Sequence, residues 1–373
     1  MPENNEKKVE YLELIYDLIF VYLIGRNNSL LHSLNGGVVS GVVFFTYVLC
    51  SLAVIQIWNF STFYINLYGR NGVRDHVFLF INMYLLYHMA DGISTGWQES
   101  FYQFCVAWLL ILVNIWVQHL IEMRLHKSEP WVLEMLKRKT FIILGEAALV
   151  IVHMLVFKFT GISIAYVPVF WGIIATVLSG KTNMMVPVDF GHLSERAMLY
   201  VVFTFGEMII SITGYFENKI TPTEIYFSVM AFLIVAGLFL SYEVMYNHIV
   251  DRDKTTNGTG YMMIHVFLIL ALNNISVALE FMREQEVDLL FKTMFITGSF
   301  LLYFIFMFLM GMFAKVRCGF NLRFYTIMII AGISFFALMV IFRSQMYVNI
   351  AISVLYVMAV FVILYIRGRY EPT

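Results

Sequence analysis

Long apolar stretches separated by short polar breaks run the length of the chain, and twelve of them read as helical spans. The first extends from about Glu10 towards Leu34 and the second from about Val38 to Tyr68, with turn residues Asn35, Gly36 and Gly37 between them. The polar break GRNGVRD precedes a third span ending near Gly92, and a fourth covers about Ser100 to Met123. A long basic loop, RLHKSEPWVLEMLKRK, follows. Its PWVLEML core predicts a short amphipathic helix lying in the membrane interface, with Ser128 as N-cap and Pro130 in the first turn. Spans five and six are expected at Thr140 to Phe159 and Ser163 to Ser179, and a seventh within Asp189 to Tyr215. Thr221, Pro222 and Glu224 form a capping box that opens the eighth, which runs to about His248. The last four fall near Gly260 to Phe281, Leu289 to Ala314, Leu322 to Phe342 and Met346 to Arg367.

Composition agrees with the pattern. Among 373 residues, 60% are hydrophobic and only 13% charged, with a mean hydropathy of +0.78. These values predict an all-α integral membrane protein of about twelve transmembrane helices, with the lipid bilayer as its principal partner. A net charge of −1 without a basic tract excludes a nucleic-acid binder. Cys50, Cys105 and Cys318 form no paired spacing and read as small apolar helix residues. The start MPENNEKK leads directly into a segment containing Glu13 and Asp17, so the first helix is expected to be retained and not cleaved as a signal peptide. With twelve spans, eighteen of the 24 Lys and Arg residues fall on the side of the amino terminus, which predicts a multi-pass protein of the cell membrane with both termini cytoplasmic. Displacing the chain by 182 positions lays Glu13 on Glu195, Arg70 on Arg252, Asp91 on Asn273 and Ser94 on Ser276. A parallel repeat of two six-helix halves, 1–180 and 181–373, follows as an expectation, with a cavity where they meet.

Ionisable residues inside such spans are expensive and point to sites. His192, Glu195, Arg196 and Glu207 share one face of the seventh helix on a helical wheel. Glu207 lies about 22 Å along the axis from His192, where an unpaired charge costs roughly 3 kcal/mol. In the first span Glu13 and Asp17, four apart, share a face and repel unless one is protonated or paired. Glu13, Asp17, Arg70, His192, Glu195 and Arg196 therefore form the predicted site, and the competing reading is an ion-pair lock between the halves. Lys139, Glu146 and His153 recur every seven residues along the fifth span, as if lining a polar path. Asn114, Gln118 and Glu122 do so every four in the fourth. Such stripes also fit plain helix–helix hydrogen bonding. His88 and Asp91, three apart near the outer end of the third span, fit an interfacial pair better than the alternative of an outer gate. Asp189, His192 and Glu195 could present metal ligands; alternatively Asp189 caps the helix and Glu195 pairs with an Arg of a neighbour. No Walker, GxSxG, GxGxxG or HExxH motif occurs, and no cofactor is expected.

Three motifs carry a resemblance: LELIYDLIFVYLI at Leu12 to Ile24, WNFSTFY at Trp58 to Tyr64 followed by Arg70, and HLSERAMLYVVFTFGE at His192 to Glu207. Together they are similar to the bacterial low temperature requirement protein A (LtrA) family of multispan membrane proteins. The chain departs from the family pattern at Ile15, where Phe is expected, and at Ala197 and Met198, which replace Phe-Gly. The resemblance implies a multispan membrane fold and brings no established biochemical activity. The residues themselves lead to a secondary transporter, in which protonation of Glu207, Asp17 or Glu13 couples to movement of a small solute. Trp58 joins Glu146 and His153 as a secondary candidate for that site. A membrane enzyme holding a lipid or isoprenoid phosphate on Arg70, Arg196 and His192 is the first alternative. A channel or scaffold, including a homodimer, is the second.

Overall fold

The computed structural model describes residues 7–93, 97–180, 187–216 and 221–368. Among them stand twelve α-helices: α1 Tyr11–Asn28, α2 Gly41–Tyr68, α3 Val73–Asp91, α4 Trp97–Leu125, α5 Pro130–Thr160, α6 Tyr166–Leu178, α7 Phe190–Ile212, α8 Pro222–Val244, α9 Thr259–Arg283, α10 Leu289–Leu309, α11 Leu322–Ile341 and α12 Met346–Gly368. The apolar periodicity located every one of them. One local expectation fails: PWVLEML forms no separate interfacial helix, because α5 runs unbroken from Pro130 to Thr160. Pro130 occupies its first turn and Glu129, not Ser128, is the N-cap residue, with no side-chain capping bond. Nothing between Leu136 and Thr140 breaks a helix, so the basic KRK segment simply continues it.

Eight helices, α2, α4, α5 and α8 to α12, are long and apolar enough to cross a membrane. The other four fall short for reasons visible in their residues. Helix α6 has 13 residues. Helix α1 carries Glu13, Asp17 and Arg26, and α7 carries Glu195, Arg196 and Glu207. Helix α3 spreads Arg74, Asp75, His76, Asn82, His88 and Asp91 over its length. Two of the charged helices, α1 and α7, build the site described below.

The chain divides into two compact units. The first gathers the described residues of Met1–Ser33, Gly41–Tyr200 and Arg252–Val266. Within it α3 packs on α1 and α4, α4 on α5 and α5 on α6, while α2 touches α1, α4 and α6. Nineteen of the 28 residues of α2 are buried, so its polar side chains Gln56, Trp58, Asn59, Thr62 and Asn66 are held inside the unit on more than one face. Close approach of α5 and α6 rests on two glycines. A Cβ at Gly145 would stand 2.6 Å from Trp171 Nε1, and one at Gly172 only 1.5 Å from Gln56 Nε2 and 2.2 Å from Glu146 Oε2.

The second unit gathers the described residues of Leu34–Ser40, Val201–Asp251 and Phe267–Thr373. Here α8 packs on α12, and α11 on both α10 and α12. The predicted capping box is present: Thr221 accepts from the Glu224 amide and Glu224 accepts from the Thr221 amide at 2.8 Å. A short antiparallel hairpin, Leu34–Asn35 with Val38–Val39, turns through Gly36 and Gly37, both at positive φ (61° and 81°), where glycine is needed. The last turn of α8 widens into a π-helix at Met245–Ile249.

Gly172→Ala should reduce stability by roughly 1 to 3 kcal/mol, the cost of overpacking a close contact. Thermal unfolding in detergent should show the loss; an unchanged midpoint would mean that α6 does not close on Gln56 and Glu146 as described.

A buried ion set on α1 and α7 as the candidate functional site

Two residue pairs of the same spacing face each other in the first unit: Glu13 and Asp17 on α1, His192 and Arg196 on α7. Arg196 Nη2 meets Asp17 Oδ1 at 2.5 Å, Arg196 Nη1 lies 3.4 Å from Glu13 Oε2, and His192 Nε2 lies 3.3 Å from that same oxygen. Asp17 and Arg196 are fully buried, and Glu13 is 4% exposed. Arginine keeps its charge in any protein environment, so a carboxylate must stay with it. Trp58 Nε1 donates to the same Asp17 oxygen at 2.9 Å and fixes its direction. Tyr16, Phe20, Trp58 and Tyr200 surround this contact, all fully buried, with ring centroids 4.7 to 5.8 Å apart. The Asp17–Arg196 half of the site is closed to solvent.

The Glu13–His192 half is organised by Asn66 at the end of α2. Asn66 Oδ1 accepts from the Asp189 amide (3.1 Å) and its Nδ2 donates to the Asp189 carbonyl (2.8 Å), which fixes the amide orientation. The same Nδ2 stands 3.0 Å from His192 Nδ1, so Nδ1 must accept. The ring proton then sits on Nε2 and points at Glu13. At 3.3 Å, with Glu13 Oε2 lacking a well-formed hydrogen bond, this is an oriented electrostatic contact rather than a tight bond. Asp189 Oδ1 caps α7 through the His192 amide (2.9 Å), and Oδ2 accepts from the Lys7 amide (3.1 Å). Lys7 Nζ in turn bonds the carbonyls of Ile65, Asn66 and Gly69 at the end of α2, where a cation suits the helix dipole. Burial lowers the Lys7 ammonium pKa below its ordinary range, partly offset by Glu13 and Asp75.

Glu13 also lines a vestibule of about 380 Å³ bounded by Lys7, Lys8, Glu10, Arg70, Asp75 and His76. Its rim is shaped by Asn71 at φ 51°, whose side chain meets His76 Nε2 at 2.8 Å.

Several predicted residues take other places. Arg70 is exposed and reaches the cluster only as part of the vestibule wall; its backbone amide, not its guanidinium, bonds Asp75. Glu195 is half-buried, and no side-chain partner for it occurs among the described residues. It joins neither Asp189 nor His192, so the H-x-x-E spacing brings no ligand set together. Among the described residues no three His, Cys, Asp or Glu side chains are placed to share a metal ion. Glu207 belongs to the second unit, half-buried, with the like-charged Glu280 as its neighbour. Glu146 and His153 are buried elsewhere in the first unit: Glu146 accepts from Gln56 and Trp108, and His153 meets Ser163. Asn114 bonds Asn82 at 2.8 Å, the helix–helix contact expected of that stripe. Glu122 makes a second ion pair, with Arg74 at 2.6 Å.

Asn66 and Lys7 also belong to the set, beyond the residues that the sequence predicts. Trp58, Thr62 and Asn66, spaced by four on a helix that is otherwise apolar, were the available signal for the first. Lys7 gave none, since only the fold brings the terminal segment back to α2.

The bacterial low temperature requirement A (LtrA) family model matches residues 8–364. The chain belongs to this family. No curated protein and no solved structure matches it. The match spans nearly all of this LtrA chain, and with its apolar helices makes it a multi-pass membrane protein. The motifs around Glu13, Trp58 and His192 are thus the three sequence segments of an LtrA protein that converge on one ion set.

Arg196→Met should cost about 3 to 5 kcal/mol, because Asp17 and Glu13 are left buried without a cation. Adding Asp17→Leu should recover part of the loss, since the pair is coupled. Folded yield and thermal midpoint in detergent read both; additive losses would mean that the pair does not interact.

Proposed function

We propose that this LtrA protein is a proton-coupled secondary transporter of the cell membrane in which Glu13 takes up and releases the proton. One observation carries the reading. Two carboxylates share a single guanidinium, His192 is held as a neutral Nε2–H tautomer by Asn66, and of the two acids only Glu13 borders the vestibule. The set therefore has room for one more positive charge, on the acid that solvent can reach. Asp17 is the fixed partner that keeps Arg196 in place. The vestibule walls carry both signs, Lys7, Lys8 and Arg70 against Glu10 and Asp75, which suits a small polar or zwitterionic solute.

The same reading has twelve crossings of the bilayer, the sixth made by α6 together with the non-helical residues 161–165 before it, with α1, α3 and α7 shielding their charges inside the protein and both termini cytoplasmic. Of the basic residues behind that orientation, Lys181, Lys219 and Arg369 lie outside the described residues. A six-plus-six repeat gains support from element positions and neighbours. Moved by 182 positions, α2 falls on α8 and its π-helical end to within a residue. Helix α2 packs on α6 as α8 packs on α12, α4 on α5 as α10 on α11, and α5 on α6 as α11 on α12.

The lipid-phosphate reading loses its main support, because Arg196 is already engaged by two carboxylates and Arg70 stands apart from it. A purely structural lock is favoured by the sealed Asp17–Arg196 contact, but not by Glu13 opening on the vestibule.

Reconstituted protein should give proton-linked currents on a solid-supported membrane when presented with one class among amino acids, sugars, nucleosides and small organic ions. Glu13→Gln should abolish the current while leaving the thermal midpoint close to that of the native protein. Currents that survive Glu13→Gln unchanged would overturn its role; no current with any class would overturn transport.

A further inference from the structure

Glu146 lies near the middle of the 31-residue α5 and is wholly buried. Gln56 Nε2 of α2 stands 2.9 Å from its Oε2 and Trp108 Nε1 of α4 stands 3.2 Å from its Oε1. Both are neutral donors, and no cation reaches the carboxyl among the described residues. Gly172 closes α6 over it so tightly that a Cβ would collide with both Gln56 and Glu146. An ionised carboxylate without a cation in such a place is very costly.

Gln56 can serve either protonation state. Its Oε1 is buried without a hydrogen-bond partner. Turned over, the amide would present that oxygen to a protonated Glu146 at the same separation and accept its O–H; unturned, it donates to the carboxylate. The neighbourhood also offers a route to the surface. His153, two turns further along α5 and 1% exposed, has Nε2 3.1 Å from the hydroxyl of Ser163, an exposed residue in the turn between α5 and α6. A cavity of about 20 Å³, bounded by Thr46, Trp108, His153 and Ser163 among others, suits one water with several polar neighbours. The titratable groups facing this region are Cys50 from α2, Cys105 and His119 from α4, and Lys139 and His153 from α5 itself. Cys105 lies beside His153, while Lys139 and His119 border a second cavity of about 30 Å³ nearer the start of α5 than Glu146.

We propose that Glu146 is a second proton-binding site, a carboxylic acid reached from the α5–α6 turn through Ser163 and His153. In loading, one proton enters past Ser163 and His153 and ends on the Glu146 carboxylate, whose Oε1 is bonded by Trp108, a wall of the cavity that His153 and Ser163 also line. Only protons move. None of these residues belongs to the Glu13 set, so this site goes beyond the transport reading and is tested without any solute.

Infrared spectroscopy of the full chain in nanodiscs tests it. A protonated-carboxyl C=O band should be lost in Glu146→Gln and kept in Glu13→Gln. Gln56→Leu should shift that band without deleting it, and His153→Phe should slow its shift on transfer to D₂O severalfold. The last two variants leave the acid in place and read the site even if Glu146→Gln does not fold. A band that survives Glu146→Gln would overturn the protonated acid, and native exchange kinetics in His153→Phe would overturn the route.

Discussion

A guanidinium sealed inside a membrane protein cannot shed its charge, and much of the first unit follows from that constraint. Arg196 needs a carboxylate at contact distance, which Asp17 supplies, and Asp17 needs a fixed orientation, which Trp58 supplies. Those contacts hold α1, α2 and α7 together at one depth. Asn66, Asp189 and Lys7 then hold the nearby ends of α2 and α7, so that the second carboxylate, Glu13, sits between the buried pair and the vestibule. A hydrophobic replacement of the whole set could hold the helices equally well. What it could not provide is an acid that borders solvent while sharing a buried cation.

Helix α2 is common to both carboxyl sites. Trp58 reaches Asp17 from one part of its surface and Gln56, two residues earlier, reaches Glu146 from another. From Tyr47 onward nearly every residue of the helix is buried, which accommodates its polar side chains. The glycines of α5 and α6 allow the backbone approach that encloses Glu146. Tyr16, Phe20, Trp58 and Tyr200 pack around Asp17 and leave it fully buried.

The helices were legible because apolar periodicity and turn residues mark them without reference to tertiary structure. The capping box at Thr221 and the i,i+4 pairing of Glu13 with Asp17 were legible for the same local reason. The number of membrane crossings was less so, since α1, α3 and α7 satisfy length but carry charges that only neighbouring helices can shelter. PWVLEML read as a separate amphipathic piece because its polar residues resemble an interface helix, and nothing local shows that α5 continues through KRK. The wheel that grouped Glu195 with Arg196 covered too wide a face: the contact surface of α7 takes His192 and Arg196 and leaves Glu195 aside. Arg70 was placed by depth, yet the chain turns at Asn71 and leaves it on the vestibule wall. Asn66 carries no charge, and an amide gives no warning that it will set a histidine tautomer.

The most direct measurement of the central claim is a density map of the protein in native lipid at a resolution that shows ordered water. Water should extend through the vestibule to Glu13 and stop there, with Arg196 held between Asp17 and Glu13 and no water at Asp17. A lipid phosphate on Arg196, or water continuing past Glu13 to Asp17, would contradict it.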